Sequence, residues 1–213
     1  MSVSASKLAA STKVESTKAD STNQKILDSA EQLFAEKSYE ATTLREIAKK
    51  VGIREPSIYA HFANKEAIYG AVIDRALTPF LTELNIWNAA DLTLRELNDI
   101  PRKLMGFHAA HPHSAQILHK EFCNPAERIS PKIMSWLDEI TAQSHRFMAG
   151  LPEYSNLNKR KVVVNIITLT HVTLGYFSSQ GMAANLLGDD YDQEALFEEQ
   201  IKLVTKLFKS LLL

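Results

Sequence analysis

Two groups of side chains in this sequence are of types that do chemistry, and the first is a set of imidazoles with one thiol in the middle of the chain. Its members are His108, His111, His113, His119 and Cys123. Ligands at i and i+4, as in His119 and Cys123, share one face of a helix and are able to chelate one transition-metal ion. Against this, Pro112 separates two predicted helices inside the set, and histidines at a helix C-terminus are favoured there as cations. We therefore predict that the protein binds no metal and no other cofactor. In the alternative reading, a metal-responsive protein, His119 and Cys123 are the candidate ligands.

The second group lies nearer the N-terminus, on a short predicted helix over residues 55–62. Ile58 and Phe62 stand four residues apart and predict the face that packs into a core. The opposite face carries Glu55, Ser57, Tyr59, Ala60 and His61. Side chains of these types on one exposed helix face are able to contact phosphates and base edges in a DNA major groove. An ordinary helical hairpin would show the same two faces, so this pattern alone does not decide the function.

A first helix must come before this group, and its signals are apolar spacing and an N-cap. Its predicted N-cap is Ser21 or Thr22, and it ends at about residues 36–38. Its apolar stripe consists of Ile26, Leu27, Ala30, Leu33 and Phe34. Residues 1–21 carry almost no large apolar side chain, so we predict a flexible N-terminal arm there. The predicted domains are therefore an arm over 1–21, a DNA-binding unit over 22–68 and a larger helical unit over 69–213.

A second helix lies between the first one and the group at 55–62. Thr43 begins it and forms a predicted capping box with Glu46. A helix-turn-helix further requires a small residue where the helices cross, a left-handed glycine in the turn and an apolar anchor after it. Ala48, Gly52 and Ile53 occupy these three places.

Four stretches of sequence carry a resemblance to a known family. They are residues 25–37 (KILDSAEQLFAEK), 42–48 (TTLREIA), 51–53 (VGI) and 57–66 (SIYAHFANKE). In both order and spacing they resemble the N-terminal DNA-binding domain of the TetR family of transcriptional regulators. The match of all four is far more specific than a lone helical hairpin.

The resemblance implies an all-α protein, with a three-helix DNA-binding domain followed by a helical domain for ligand binding and dimerisation. The implied partners are a double-stranded DNA operator, a second copy of the chain and a small-molecule effector of unknown identity. The implied DNA-binding positions are Thr43, Arg45, Arg54, Glu55, Pro56, Ser57, Tyr59, Ala60, His61 and Lys65. Lys65 begins the fourth helix, where its charge and the free N–H groups would bind one phosphate together.

Arg54 and Pro56 depart from the pattern of many family members, which have Ser or Thr at the first position and Gly at the second. Proline in the first turn of a helix loses only an N–H that has no acceptor within the helix. Arg54 either contacts guanine through two hydrogen bonds or meets phosphate or solvent, and Glu55 either accepts from cytosine or pairs with Arg54. The bases that are read therefore stay open.

Beyond about residue 75 the resemblance carries no motif, so the rest depends on hydrophobic periodicity. Helices are predicted over 93–110, 112–122, 131–149, 158–186 and 192–213. The segment 162–177 is apolar on more than one helix face, which requires burial on more than one side. With the last helix it predicts a four-helix dimer interface containing Val163, Ile167, Thr170, Leu174, Leu203 and Leu207.

An organic effector is favoured over a metal ion, because the central helices carry many large apolar side chains. The predicted contacts are Leu104, Phe107, Phe122, Trp136, His145, Met148, His171 and Tyr176. Each of them is equally of a type found in an ordinary helical core.

Composition excludes other classes of protein. Lys and Arg number 24 against 25 Asp and Glu, so a charged partner must meet a local patch rather than a global excess. The sequence has no phosphate-binding glycine loop, serine elbow or catalytic pair of carboxylates, which argues against an enzyme. A single cysteine and the lack of a long apolar segment predict a cytoplasmic protein with no membrane partner.

The sequence thus favours a repressor whose dimer binds a pseudo-palindromic operator and is released by a small-molecule effector. The alternatives are a transcriptional activator, a DNA-binding protein without an effector, and a metal-responsive regulator that uses His119 and Cys123.

Overall fold

The computed structural model describes the backbone of residues 4–87, 94–149 and 158–212, and the side chains of 20–78, 98–125, 127–146 and 158–211. Its α-helices are α1 (Ser4–Lys37), α2 (Leu44–Val51), α3 (Glu55–Ile58), α4 (Lys65–Trp87), α5 (Leu94–Ala110), α6 (Pro112–Phe122), α7 (Pro131–Ala149), α8 (Lys159–Ser178), α9 (Gln180–Leu187) and α10 (Gln193–Leu212). Short 3₁₀ turns lie at Ala126–Arg128 and Gly188–Asp190. No strand occurs in the described ranges, and the predicted all-α class is confirmed.

The chain divides into two compact units, Met1–Val72 and Ile73–Leu213. We call them the N-terminal unit and the C-terminal unit. The predicted boundary after residue 68 and the observed one after Val72 both fall inside α4.

A small apolar core holds α1, α2, α3 and the start of α4 together in the N-terminal unit. Its buried side chains include Ile26, Ala30, Phe34, Ile47, Ile58 and Ile68. Phe34 packs edge-on against Tyr69, with ring centroids 5.1 Å apart. Burial of each such Ile or Phe stabilises a fold by about 1.5–3 kcal/mol, so this core fixes the orientation of the short helices.

Helix α1 begins at Ser4, so the prediction that the first helix begins at Ser21 or Thr22 is wrong. Residues 4–21 contain neither Gly nor Pro and include several alanines and lysines. Nothing in such a sequence interrupts a helix that is anchored by the buried stripe further along. We predicted a flexible arm over 1–21 because this segment lacks large apolar side chains. That composition is compatible with a helix that continues from the anchored part of α1.

The predicted capping of α2 is confirmed at both ends. Thr43 Oγ1 accepts a hydrogen bond from the Glu46 N–H at 3.2 Å, and Glu46 Oε2 accepts one from the Thr43 N–H at 2.9 Å. Gly52 follows the helix with φ 80° and ψ 28°, the left-handed conformation, and its N–H donates to the Ala48 carbonyl at 3.0 Å. The first turn and the end of α2 are therefore set by local sequence.

Gly52→Ala should destabilise the N-terminal unit by about 1–2 kcal/mol, because a side chain is strained at positive φ. A Cβ at Gly52 would meet no heavy atom within 4 Å, so backbone strain is the whole effect. Gly106→Ala is the matched control: it lies inside α5 with equal space around it, and there alanine is favoured over glycine by up to about 1 kcal/mol. Urea unfolding of both variants should show a lower free energy of unfolding for Gly52→Ala and a higher one for Gly106→Ala. A Gly52→Ala variant as stable as the wild type would contradict the role of the turn.

Helix α8 lies at the centre of the C-terminal unit and packs against α5, α6, α7 and α10. The buried side chains of this unit include Met105, Ile117, Leu118, Ile133, Val162, Leu174 and Val204. Two amides tie α8 to α10: Asn165 donates to the Leu211 carbonyl at 3.1 Å, and Gln200 donates to the Val172 carbonyl at 3.0 Å. Burial and these polar bonds together fix the register of the two helices.

The helix predicted over 158–186 is broken at Ser179, so that prediction is wrong in its length. Ser179 Oγ donates to the Gly175 carbonyl at 2.8 Å, and the chain turns by 60° between α8 and α9. Serine side chains that bond to the preceding turn compete with the helical ladder and favour such bends. Among the described helices none is by itself long and apolar enough to cross a membrane, although the bent pair Lys159–Ser178 and Gln180–Asp190 passes by length and composition.

Candidate nucleic-acid interface

Helices α2 and α3 form the predicted helix-turn-helix. Ile47 and Ala48 of α2 and Ile58 of α3 are buried, which anchors both helices on the same core. The turn is closed by the Ile53 N–H, which donates to the Ala48 carbonyl at 3.0 Å. The Ile58 carbonyl accepts from the Phe62 N–H at 2.9 Å, so helical winding continues past the end of α3.

Most of the predicted DNA-contacting residues lie on the surface of this unit. Those exposed are Thr43, Arg45, Arg54, Pro56, Ser57, Tyr59 and Ala60, and those half-buried are Glu55, His61 and Lys65. Tyr59 is 56% exposed. The face of α3 opposite Ile58 is therefore open to a partner.

Four exposed basic side chains lie in α2 and in the turn that follows it. Arg45, Lys49 and Lys50 of α2 are exposed, and so is Arg54 in the turn, whereas Glu55 is half-buried. Lys49 and Lys50 are candidate phosphate ligands that sequence reasoning missed. The available signal was spacing, because Lys49 stands one helical turn after Arg45 and therefore shares its side of α2.

Thr43 and Glu46 are engaged with each other and with α1. Beyond the capping bonds, the Thr43 hydroxyl donates to Glu46 Oε2 at 3.0 Å. The other carboxylate oxygen pairs with Lys37 Nζ at 2.6 Å. These bonds lower the pKa of Glu46 to about 2. The bond with Lys37 has the largest effect, and the bonds with Thr43 come next. The Thr43 hydroxyl thus acts first as a helix cap, and its predicted contact with DNA is untested.

The N-terminal unit should lose stability between about pH 4.5 and pH 2, as Glu46 takes up a proton. The sign follows because the folded-state pKa lies below the ordinary value, so the ionised form favours the folded state above that window. Glu46→Gln keeps an acceptor for the cap but does not titrate, and Lys37→Met removes the first cause of the shift. Both variants should flatten the pH profile of urea unfolding, followed through NMR amide signals of residues 44–51. Profiles as steep as that of the wild type would contradict this assignment.

Lys65 is turned inward, and its predicted role of binding one phosphate together with the N–H groups of α4 is untested. Its ammonium donates to the carbonyls of Tyr39 at 2.9 Å and Thr42 at 3.0 Å, and lies 4.3 Å from the centroid of the Tyr39 ring. Asn64 Oδ1 accepts from the Ala67 N–H at 2.8 Å and caps α4. An ammonium has three N–H bonds, so Lys65 retains one for a further acceptor.

Sequence reasoning missed Tyr39 and Thr42, which form the turn that Lys65 holds. Thr42 is fully buried, and its hydroxyl donates to the Ser38 carbonyl at 2.8 Å. Ser38 has φ 104°, a conformation that L residues rarely adopt. The available signal was the polar run after α1, which predicts a turn but not its long-range partner.

Several residues that were predicted to line an effector pocket make aromatic contacts. Phe122 of α6 stacks on Trp136 of α7, with ring centroids 6.1 Å apart. Tyr176 instead packs against Phe177 and Phe197 at 5.1 and 6.0 Å.

Two further predicted pocket residues contact histidines. The Phe107 ring lies 4.9 Å from that of His111, and the His171 ring lies 5.8 Å from that of His119, between centroids. Leu104, Phe107 and His145 are half-buried, and His171 is exposed. The Met148 side chain lies outside the described residues. The effector contacts therefore stay a prediction.

The residues predicted at a dimer interface differ in exposure. Ile167 and Leu203 are 52% and 60% exposed, and Val163, Thr170 and Leu207 are half-buried. Leu174 is 2% exposed, so its side chain belongs to the interior of its own chain and has no area left for a partner. Sequence reasoning missed Val164, an exposed apolar residue on α8.

His108 is buried, although its position near the end of α5 suggested a favoured cation. Burial, and to a smaller extent the neighbouring His111, lower the pKa of His108 to about 3. Its ring packs against Phe177, with centroids 5.7 Å apart. The side chain is therefore neutral, and the prediction of a cationic role is wrong for His108.

Residues 26–72 match the family of bacterial regulatory proteins named tetR. The chain is 44% identical over 57 residues to the biofilm operon icaADBC HTH-type negative transcriptional regulator IcaR of Staphylococcus epidermidis, a match that covers 27% of this chain and 31% of that protein. IcaR of Staphylococcus aureus strain Newman is 53% identical over 45 residues, which is 21% of this chain and 24% of that protein. The chain thus spans less than a third of the length of these relatives.

Solved structures are similar over most of the chain. A TetR-like transcriptional regulator from Rhodococcus sp. RHA1 has a TM-score of 0.63 at 19% identity and covers 88% of this chain and 93% of its own. The fatty acid degradation regulator FadR from Bacillus halodurans has a TM-score of 0.62 at 19% identity, with 86% and 94% covered. Residues 26–72 therefore form a helix-turn-helix domain of the tetR family. These relatives are named as regulators.

Proposed function

We propose that the protein is a dimeric transcriptional repressor that binds double-stranded DNA through α3. The observation that carries the proposal is the open face of α3, held on the core by Ile58 and reached through the left-handed turn at Gly52. A major groove admits one helix, and residues near the start of such a helix reach the base edges. The relatives that are named negative regulators favour repression over activation.

Individual roles follow from the chemistry of each side chain. Arg45 and Lys49 bind phosphates and set the position of the unit on the duplex. Arg54 and Ser57 stand where base edges would be read. The Tyr59 hydroxyl donates to a phosphate while its exposed ring covers the edge of the duplex.

The dimer forms through α8 and α10, as the sequence predicted, with a changed set of residues. Val164, Ile167 and Leu203 are exposed apolar side chains on two helices that pack together. Two copies of this helix pair would bury them in a four-helix interface about a two-fold axis. Val163 and Leu207 lie at its margin, and Leu174 is excluded.

A small organic effector in the C-terminal unit would release the DNA. Such an effector must bind the free form better than the DNA-bound form, and coupling of about 1–3 kcal/mol is usual. Phe122 with Trp136 and the ring of Tyr176 are the predicted aromatic contacts. A cytoplasmic location goes with this proposal.

Selection of bound fragments from genomic DNA, followed by footprinting, tests the function. We expect an enriched pseudo-palindrome whose half-sites lie about one helical turn apart, because the recognition helices of a dimer are related by a two-fold axis. Ser57→Ala should change the preferred bases, whereas Lys103→Ala, an exposed cation on α5, should leave them unchanged. No enriched sequence, or an enriched site without a dyad, would contradict the proposal.

A further inference from the structure

Three metal-ligating side chains from two helices meet on the surface of the C-terminal unit. They are His119 of α6, Cys123 directly after the end of α6, and His171 of α8, and their ligand atoms all lie within 4.8 Å of one another. The sequence paired only the first two, because His171 stands far away along the chain. We propose that these three side chains bind one thiophilic transition-metal ion, with Zn²⁺ as the probe. The proposal does not depend on DNA binding.

The distances suit a small ion. With metal–ligand bonds of about 2.0–2.3 Å, neighbouring ligand atoms of a tetrahedral zinc site lie roughly 3.3–3.8 Å apart. Cys123 Sγ and His119 Nε2 are already 3.9 Å apart. The rings of His119 and His171 lie with centroids at 5.8 Å in an edge-on arrangement, so small side-chain rotations bring the third ligand in.

A hydrogen bond on the far side of His119 prepares its ring for a metal. His119 Nδ1 lies 3.0 Å from Ser178 Oγ. When Nδ1–H donates to this hydroxyl, the lone pair of Nε2 points to the side of Cys123. Histidines that bind metals commonly donate their other N–H to such a partner, which fixes the tautomer.

The neighbouring backbone leaves room on the metal side of His119. Gly175 has no side chain, and a Cβ there would lie 3.5 Å from His119 Nε2. Cys123 and His171 are exposed, so ions in solution have access to the cluster.

The ligand types define the chemistry of the ion. One thiolate with two imidazoles selects Zn²⁺ and its borderline neighbours over Mg²⁺ or Ca²⁺, which prefer oxygen. On binding, the Cys123 thiol releases its proton to solvent and water fills the fourth position. Because the ligands come from α6 and α8, the ion would join these two helices.

Titration of the tag-free, full-length protein with Zn²⁺ in competition with a chromophoric chelator, under a reductant, tests the proposal. We expect one Zn²⁺ per chain, a rise in the Tm, and with Co²⁺ a thiolate charge-transfer band in the near ultraviolet. Cys123→Ser should abolish the band, and His171→Gln should weaken binding by about tenfold or more. Ser178→Ala, which removes only the partner of His119, should weaken binding by about tenfold as well.

His113→Gln is the matched control, since His113 lies on α6 outside the cluster. It should bind like the wild type. Circular dichroism checks that each variant is folded. No stoichiometric binding, or binding that survives Cys123→Ser and His171→Gln, would overturn the proposal and indicate adventitious capture by surface histidines. DNA binding in the presence of EDTA is a separate measurement, so its outcome reports on the repressor function alone.

Discussion

Ile167→Glu should convert the proposed dimer into monomers. Ile167 is 52% exposed in one chain, so the substitution is compatible with folding of each chain. In a two-fold interface the new carboxylate is buried twice, and an uncompensated buried charge costs roughly 3 kcal/mol or more. Light scattering at micromolar concentration should show the mass of two chains for the wild type and of one chain for the variant.

Met134→Glu is the control for this substitution. Met134 is an exposed apolar residue too, but it lies on α7, outside the proposed interface. It should keep the mass of two chains. A wild type with the mass of one chain would exclude the dimer, and a dimeric Ile167→Glu would place the interface elsewhere.

Acidification should destabilise the C-terminal unit through His108. The pKa of His108 is about 3 in the folded chain against an ordinary 6.5, so below pH 6.5 the unfolded chain binds more protons than the folded one. Stability therefore falls as the pH falls through this window, by about 2 kcal/mol from His108 alone between pH 6.5 and about pH 5. Carboxylates contribute little over that range.

His108→Gln should remove this part of the loss, because a glutamine side chain does not titrate. Both tryptophans, Trp87 and Trp136, belong to the C-terminal unit, so urea unfolding followed by their fluorescence is the measurement. Burial also lowers the pKa of His119, which acts in the same direction, so the difference between wild type and variant is the quantity to compare. Equal slopes for the two proteins would show that His108 is not a buried neutral group.

Local interactions explain what the sequence predicted well. The box between Thr43 and Glu46, the left-handed Gly52 and the start of α6 at Pro112 depend on residues a few positions apart. The stereochemistry of such features is the same wherever the chain lies. The helix-turn-helix and its exposed face were therefore accessible from the residues alone.

Long-range packing explains what was missed. The inward turn of Lys65 depends on carbonyls of Tyr39 and Thr42, and nothing near Lys65 in the sequence indicates them. The meeting of His171 with the ligands on α6 depends in the same way on how α6 packs against α8.

The predictions of helix ends and of side-chain exposure failed for related reasons. Periodicity alone did not show the break at Ser179 or the early start of α1, because a capping residue permits a helix end without requiring one. Leu174 has the same apolar character as Ile167, and only packing distinguishes a core residue from a surface one.

The affinity of the dimer for its selected operator, measured against salt concentration, tests the central claim most directly. Log affinity should fall linearly with log salt, as expected when phosphate contacts release counterions. Arg45→Ala should weaken binding to all sequences and reduce the salt slope by about 1, and Tyr59→Ala should weaken binding as well. Lys65 is a poorer choice because its loss would also disturb the turn at Tyr39. Salt-independent binding, or wild-type affinity in both Arg45→Ala and Tyr59→Ala, would contradict DNA recognition through this face.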